Sequence, residues 1–316
     1  MSAQTTLTYQ IQAFLEHMEV EKGSSPLTIR NYKHYLTRFS EYLESEEKVT
    51  DIGEINQEVV RKYRLYLTHI PSSPSPNETD TLARKTQGYH VIALRSFLRW
   101  LVKNDYKVMS PDKIDLPKIK DREITFLSGE HVDKLLNAPT ASRISGKRDK
   151  AILELLYSTG LRVSELVSLN KDKIDYESRE FGVVGKGGKA RVVFLSQRAA
   201  AFLKDYIEAR NDHFTPLFIR HKGKVDPATT SEEMRLTPRS IQRMIKKYGK
   251  KMKLPVNVTP HVLRHSFATD LLMAGADLRS VQEMLGHKNV STTQIYTHVT
   301  NKQLKEVHEA FHGRDK

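Results

Sequence analysis

Two arginines, one of them in a mostly apolar segment, are the residues whose types best indicate chemistry. Arg162 lies in the segment 159–166, and Arg264 lies in the segment 261–265. A guanidinium group stays charged and can hold two phosphate oxygens at once, so it can stabilise the charge that develops during phosphoryl transfer. An arginine among apolar residues is costly unless such a role requires it. The pair is therefore suited to hold an anionic group such as a phosphate.

The histidines beside Arg264 favour the same chemistry over a metal site. His261 and Arg264 are three residues apart, so one helix face can carry both toward a shared phosphate. His261 and His265 have the spacing of the zinc pair in the H-E-x-x-H pattern, but Val262 stands where that pattern needs a glutamate. Arg264 would also repel a cation. We therefore expect no metal and no cofactor, and we interpret His265 as structural.

Four segments, taken in order, resemble the motifs of one protein family. They are Thr159–Leu166, Gly185–Lys189, His261–His265, and Leu285–His287 followed by Thr292–Val299. Together they resemble the tyrosine site-specific recombinases, or lambda-integrase family, and are most similar to the Xer recombinases that resolve chromosome dimers. The resemblance covers nearly the whole chain, because the helical first half also looks like the core-binding domain of that family.

The roles expected around the phosphate follow from this resemblance. Tyr296 would be the nucleophile, forming a 3′-phosphotyrosyl bond and leaving a free 5′-hydroxyl. Arg162 and Arg264 would hold the phosphate. His261 would aid proton transfer with Tyr296, and His287 would hydrogen-bond the phosphate. A tyrosine hydroxyl has a pKa of about 10 and needs activation, which nearby arginines and a histidine can supply.

The proton donor to the leaving group is expected on a glycine-rich turn. Residues 181–195 predict a β-hairpin whose tip carries Gly185–Lys189. The resemblance makes Lys186 the general acid. Lys189 is the alternative, although its spacing from the first arginine matches the family less well. Glu165, three residues after Arg162, is expected to contact the catalytic arginine or lysine and orient it, rather than to contact the DNA.

The helices and strands expected to position these residues indicate a mainly α-helical protein with a small antiparallel β-sheet. Residues 1–109 predict a helical core-binding domain, which the resemblance makes SAM-like. Residues 110–125 contain two prolines and many charges and predict an extended linker. Residues 126–316 predict a mixed α+β catalytic domain. Its C-terminal helix, at about 301–312, is expected to pack on a neighbouring subunit as is common in the family, with packing on its own domain as the alternative.

Apolar spacing, caps and turn residues place the predicted helices. They are expected over residues 7–21, from 26 onward, and over 55–69, 82–103, 129–137, 197–210, 238–253, 261–274 and 277–285, with a further apolar segment at 149–157.

Composition excludes several classes of protein. The chain has 316 residues and no cysteine, which excludes disulfides, thiolate metal sites, iron–sulfur clusters and cysteine nucleophiles. No apolar run approaches the ~18 residues of a membrane-spanning helix, and the first residues do not resemble a signal peptide. We expect a cytoplasmic, nucleoid-associated protein that does not enter a membrane.

The formal net charge of +13 predicts a nucleic-acid partner. Residues 1–115 hold 15 basic and 15 acidic residues, whereas residues 116–316 hold 36 basic and 23 acidic ones. Basic residues cluster in the second and fourth helices and in a stripe within 235–253, which suits contacts to backbone phosphates. The residues expected to contact DNA are Arg30, Lys33, Arg84, Lys85, Arg95, Arg239, Arg243, Lys246 and Lys250.

These features predict a site-specific recombinase that acts on double-stranded DNA with short inverted-repeat sites. Four protomers, identical or from two paralogues, would hold two sites and exchange strands through a Holliday junction. The expected role is resolution of chromosome or plasmid dimers, which a septal DNA translocase could control. Three alternatives stay open: a phage or mobile-element integrase, a DNA-binding protein that organises sites without catalysis, and a relaxing enzyme of the type IB topoisomerase kind.

Overall fold

The chain divides into two compact units, Met1–Arg122 and Glu123–Lys316. The computed structural model describes residues 6–49, 51–72, 81–116, 125–185, 188, 190–223 and 225–286. Four residues singled out in the sequence and the expected exchange helix lie outside the described residues, namely Lys186, Lys189, His287, Tyr296 and 301–312.

The described part of the first unit is built from helices whose apolar stripes meet in one core. These are α1 (Leu7–Val20), α2 (Pro26–Tyr42), α3 (Gln57–His69) and α4 (Arg84–Lys103). Ser25 caps α2 and Pro26 begins it, as the sequence predicts. Phe14 and Phe97 are fully buried at the centre of the core, and their ring centroids lie 5.5 Å apart. Ring packing between α1 and α4 therefore helps to hold these helices together.

The beginning of the predicted linker packs on the first unit. Pro111–Lys113 form a 3₁₀ turn that Ser110 caps, and Ile114 is buried in the core of that unit. Asp112 accepts a hydrogen bond from Arg95 at 3.0 Å. The structure thus differs from an extended linker over 110–114, because a rigid proline and a buried isoleucine outweigh the charges around them.

The second unit is organised around one buried helix. Its described elements are α5 (Gly129–Leu136), α6 (Ile144–Thr159), α7 (Val163–Val167), β1 (Glu180–Val184), β2 (Ala190–Phe194), α8 (Gln197–Glu208), α9 (Ser231–Met234), α10 (Pro238–Lys251), α11 (Pro260–Met273) and α12 (Leu278–Leu285). Every residue of α6 from Asp149 to Leu156 is buried. The helix packs against α5, α8, α11 and β2, so it forms the centre of this unit.

The predicted hairpin is confirmed by an antiparallel pair. β1 and β2 pair in register from Glu180 opposite Phe194 to Val184 opposite Ala190. Alternate residues such as Val183 face the core, as expected for a strand with one buried face. The core therefore anchors the two strands, and Lys186 follows β1 in the sequence.

Threonine residues cap the two helices of the second unit that carry its four DNA-contact candidates and two of the catalytic candidates. Thr237 caps α10 and Thr259 caps α11, and a proline follows each cap. Within the described residues, no helix is both long and apolar enough to cross a membrane.

Candidate active site

Arg162 lies where α6 ends and α7 begins. Gly160 ends α6 in the left-handed conformation. The Arg162 amide donates to Glu165 Oε2 at 2.8 Å, and its Nη1 donates to Glu165 Oε1 at 2.9 Å. Its Nη2 donates to the carbonyl of Gly286 at 3.2 Å. The guanidinium is therefore held from two sides, while 27% of the side chain stays exposed.

Arg264 reaches the same place from α11. His261 lies in the first turn of this helix, and Arg264 follows on the same face. Arg264 Nη1 donates to the carbonyl of Gly160 at 2.6 Å, and its Nη2 donates to the carbonyl of Leu285. The residue is buried. Both arginines are thus held where the end of α6 meets the end of α12.

Two glycines permit this close approach. Gly160 and Gly286 have φ values of 59° and 64°, in the left-handed region that favours glycine. A Cβ on Gly160 would lie 2.5 Å from a ring carbon of Phe267, and a Cβ on Gly286 would lie 3.1 Å from Cδ of Arg191. The carbonyls of both glycines bind the arginines. The site therefore requires residues without a side chain at these two positions.

His261 is suited to accept a proton. Burial lowers the pKa of His261, and the positive charges of Arg264 and Arg162 lower that pKa further. The ring is therefore neutral at neutral pH, and a neutral imidazole offers one nitrogen as an acceptor. The pKa of His265 is lowered by burial, by His261 and by Arg264.

Arg191 on β2 also contacts Glu165, and sequence reasoning missed this residue. Its Nη1 and Nη2 donate to Glu165 Oε1 and Oε2 at 3.0 and 2.8 Å. Its Nε donates to the carbonyl of Met284 at 3.1 Å. One carboxylate thus joins Arg162 to Arg191. The signal that could have found Arg191 is Glu165 itself, because a carboxylate in an apolar segment needs compensating partners.

Glu165 is a buried carboxylate that its partners keep ionised. Its side chain is 4% exposed. Burial raises its pKa, but the hydrogen bonds from Arg191 and Arg162 outweigh burial and lower the pKa to about 2. Glu165 therefore stays negative at physiological pH and directs both guanidinium groups through charge-assisted hydrogen bonds.

The structure brings together the described members of the predicted catalytic set. Arg162, Glu165, His261 and Arg264 lie around the meeting point of α6, α11 and α12. Among the described residues, no group of three or more histidine and carboxylate side chains is arranged to hold a metal ion.

The predicted DNA contacts in the first unit fall into two groups. Arg95 is engaged in the ion pair with Asp112, at 3.0 Å. The remaining candidates are exposed on α2 and α4, which pack against each other. These exposed candidates are Arg30, Lys33, Arg84 and Lys85.

The predicted DNA contacts in the second unit lie along α10. Ile241 and Ile245 bury one face of this helix in the core. The other faces carry the basic residues, which are exposed. They include the four candidates Arg239, Arg243, Lys246 and Lys250.

Comparison with known proteins assigns the chain to a family. A family model described as the phage integrase family matches residues 125–303, and one described as the phage integrase N-terminal SAM-like domain matches residues 11–105. The chain therefore belongs to the phage integrase family of enzymes.

Relatives of nearly the same length place the chain among the tyrosine recombinases of that family. The tyrosine recombinase XerC of Thermodesulfovibrio yellowstonii is 37% identical, covering 99% of this chain and 99% of its own length. The tyrosine recombinase XerD of Oceanobacillus iheyensis is also 37% identical, covering 98% of this chain and 99% of its own length.

A solved structure confirms the expected fold class. The crystal structure of the XerH site-specific recombinase bound to palindromic difH substrate matches with a TM-score of 0.68 and 22% identity, covering 91% of this chain and 81% of that one. The fold is thus that of a tyrosine recombinase, a helical SAM-like domain followed by a catalytic domain with a small antiparallel sheet.

Proposed function

We propose that the chain is a site-specific recombinase that cuts and rejoins double-stranded DNA through a 3′-phosphotyrosyl intermediate on Tyr296. The observation that carries this proposal is the joint anchoring of Arg162 and Arg264 where α6 meets α12. Backbone carbonyls hold both guanidinium groups. Positive groups fixed in advance can stabilise the developing phosphoryl charge without rearranging during the reaction.

Each proton in the cleavage step has a carrier. The Tyr296 hydroxyl oxygen attacks phosphorus, and its proton passes to His261, whose lowered pKa keeps the ring neutral beforehand. The bond from phosphorus to the 5′-oxygen breaks, and Lys186 protonates that oxygen. The two arginines and His287 hold the nonbridging oxygens.

Rejoining reverses these steps with the 5′-hydroxyl of a partner strand. That hydroxyl attacks the phosphotyrosine, and the phenolate of Tyr296 leaves and recovers a proton. The phosphotyrosine retains the energy of the original phosphodiester, so the strand exchange that we propose needs no nucleotide cofactor. Two such exchanges on two DNA sites would pass through a Holliday junction.

The proposed DNA site is a short inverted repeat bound by four protomers. The XerH structure contains a palindromic difH substrate, which supports an inverted-repeat site for this chain. We propose that the segment 301–312 forms a helix exchanged between neighbouring protomers. The tetramer would contain one recombinase or two paralogues, and it would act in the cytoplasm at the nucleoid.

The proposed biological role is resolution of chromosome or plasmid dimers, with control by a septal DNA translocase. The names XerC and XerD of the full-length relatives support this role. Integration of a mobile element is the second candidate, and the integrase name of the family model that covers the catalytic half favours it.

Covalent trapping tests the chemistry directly. The full chain is incubated with sheared DNA from its own source in EDTA, denatured with detergent, and the DNA attached to protein is sequenced. The wild type and Tyr9→Phe, which alters a half-exposed tyrosine of α1, should both yield adducts. Tyr296→Phe should yield none. Adducts that persist with Tyr296→Phe would exclude Tyr296 as the nucleophile.

The recovered locus decides between the two biological roles. One short inverted repeat near the replication terminus would support dimer resolution, whereas a site bordering a mobile element would support integration. Retained DNA binding without any adduct would favour a protein that organises sites without catalysis. Adducts scattered over the sheared DNA, together with relaxation of a separate supercoiled plasmid by the monomer, would favour a relaxing enzyme.

The general acid can be identified with a substrate that needs no proton donor. The recovered site is synthesised with sulfur in place of the bridging 5′-oxygen at the cut, because a thiolate leaves without protonation. Lys186→Ala should be slow on the normal duplex and fast on the sulfur duplex. Lys189→Ala is the matched control and should cleave both at similar rates. The reverse pattern would assign the role to Lys189.

A further inference from the structure

A basic cavity of about 820 Å³ lies between the beginning of α6 and one face of α10. Three separate parts of the chain contribute cations to it: the loop before α6, the segment after Arg220, and α10. The exposed cations that line the cavity are Arg143, Lys222, Arg243, Lys247 and Lys251.

These five cations have no carboxylate partner within the described part of the chain. Asp149 also lines the cavity, but it accepts from Arg148 at 2.7 Å and from the Tyr248 hydroxyl at 3.0 Å. The charge of Asp149 is therefore already matched by Arg148. Like charges gathered in one concave surface repel one another, and a bound polyanion removes that repulsion.

The cavity divides the basic residues of α10 into two sets. Arg243, Lys247 and Lys251, each four residues apart, line the cavity. The other three basic residues of the helix, Arg239, Lys246 and Lys250, are not part of its lining. The stripe predicted from the sequence combined Arg243 with this second set, so it missed Lys247 and Lys251.

Close packing forms the wall opposite α10. A Cβ on Gly146 would lie 1.8 Å from the carbonyl oxygen of Thr140, so the loop before α6 rests directly on the first turn of the helix. This contact keeps Arg143 at the cavity. Ser142 and Ser145 line this wall and Ser240 lines the α10 side, and their hydroxyls can donate to anionic oxygens.

We propose that this cavity binds backbone phosphates of duplex DNA at a distance from the reacting phosphate. The inference rests on the proposed function, because it makes the cavity a second contact with the same DNA. The catalytic arginines meet at the C-terminal end of α6, and the cavity lies at its N-terminal end. The helix has 16 residues and is therefore about 24 Å long, which corresponds to roughly seven base pairs of duplex.

Contacts of this kind orient the duplex and add affinity without reading its sequence. They release condensed counterions, so the DNA affinity that they supply depends steeply on salt. The cavity should consequently contribute equally to binding of any duplex, whether or not it contains the recombination site.

The test compares two full-length triple variants that remove equal charge. The cavity variant is Arg143→Gln, Lys222→Gln, Lys247→Gln. The control variant is Lys134→Gln, Lys173→Gln, Lys204→Gln, whose lysines are exposed in the same unit and lie 2.5, 3.5 and 3.8 Å from neighbouring carboxylates. Affinity for a 30-base-pair duplex of random sequence is measured as a function of salt, after matching thermal unfolding midpoints confirm folding.

The cavity variant should bind more weakly at low salt. The negative slope of its log affinity against log salt should become shallower by about 2.7 for three lost phosphate contacts. The control variant should keep the wild-type slope. Equal slopes for the cavity variant and the wild type would overturn the proposal, and so would equal losses in both variants.

A second probe distinguishes a DNA backbone from a free polyphosphate. If the cavity variant loses binding of inorganic tripolyphosphate but keeps the wild-type salt dependence on duplex DNA, the cavity takes a small polyanion and the proposal is wrong. Covalent trapping on the same preparations distinguishes failure of the cavity proposal from failure of the proposed function. Wild-type adducts with an unaltered slope in the cavity variant reject only the cavity, whereas no adduct and no duplex binding by the wild type reject the proposed function.

Discussion

Replacing Arg191 with methionine tests whether Glu165 positions Arg162 through contacts on both sides. Methionine retains apolar volume but removes two hydrogen bonds to Glu165 and one to the carbonyl of Met284. Glu165 stays buried, and among the described residues Arg162 is then its remaining ionic partner. We expect lower stability and slower DNA cleavage, because the carboxylate can then shift and change the direction of Arg162.

The expected loss of stability is about 3 kcal/mol. The pKa of Glu165 is lowered from an ordinary 4.5 to about 2, which corresponds to roughly 3 kcal/mol of net favourable interaction that Arg191 and Arg162 supply together against burial. Breaking one side of a buried ion pair costs about 3–5 kcal/mol, a similar magnitude. If one third of this loss, about 1 kcal/mol, appears in the transition state for cleavage, the rate falls about fivefold.

The pH dependence of this stability follows from the sign of the shift. Because the pKa of Glu165 is depressed in the folded state, its stabilisation is present above the unfolded value of 4.5 and is lost as pH falls toward 2. In the variant the pKa of Glu165 rises, since burial raises it and the Arg191 contacts no longer oppose burial. The acid-induced loss of stability should therefore be smaller in the variant than in the wild type, so the two proteins should differ less at pH 4 than at pH 7.

Urea unfolding at pH 7 and pH 4 measures the loss of stability. Single-turnover cleavage of the DNA site recovered by covalent trapping measures the loss of cleavage rate. Arg191→Lys keeps the charge and should recover part of the cleavage rate. Arg191→Met combined with Glu165→Gln removes both charges and should recover stability but not cleavage, because Arg162 still lacks its carboxylate. A wild-type urea midpoint at both pH values and a wild-type cleavage rate for Arg191→Met would refute the reasoning.

Three further predictions concern the glycine at the end of α6, the proposed base and a buried hydroxyl. Gly160→Ala should cost about 1–3 kcal/mol in urea unfolding, because φ is 59° and a Cβ would lie 2.5 Å from an aromatic ring. Gly23→Ala, with a similar φ of 55° and open space around the Cβ, should cost less, and equal losses would contradict the steric explanation. Wild-type cleavage should persist below pH 6.5, because the pKa of His261 is lowered, and its rate should fall only at a pH low enough to protonate His261. His261→Gln should cleave slowly, and its rate should not show that fall. The same pH profile in both proteins would exclude His261 as the base. Tyr248→Phe should lower the free energy of unfolding by about 1 kcal/mol, because its hydroxyl donates to Asp149 at 3.0 Å, and an unchanged urea midpoint would show that this bond adds no net stability.

Features that act within one helical turn were predictable from the sequence. Ser25 followed by Pro26 predicts the beginning of α2, and the helix begins there, because the cap and the proline both act on the first turn. The shared face of His261 and Arg264 also depends only on helical spacing. The glycine-rich segment between β-branched runs predicts the hairpin, which forms by local pairing.

The full extent of α6 was less predictable. Its apolar segment was recognised, but the helix begins at Ile144 and extends to Thr159. The residues from Asp149 to Leu156 are all buried, so no polar face alternates with an apolar face. Hydrophobic periodicity therefore weakens where a helix is surrounded by neighbours.

The sequence by itself determined the types and order of the catalytic candidates, because its motifs identify the family that the comparisons confirm. Only the tertiary structure decided how they are supported. The contact from Arg264 to Gly160 joins residues 104 positions apart, and Arg191 reaches Glu165 across 26 positions. Residues so distant carry no local signal for each other, since packing of whole helices and strands selects which charges meet. The same reason explains why the cations of α10 divide between the cavity and the open surface only after the chain has folded.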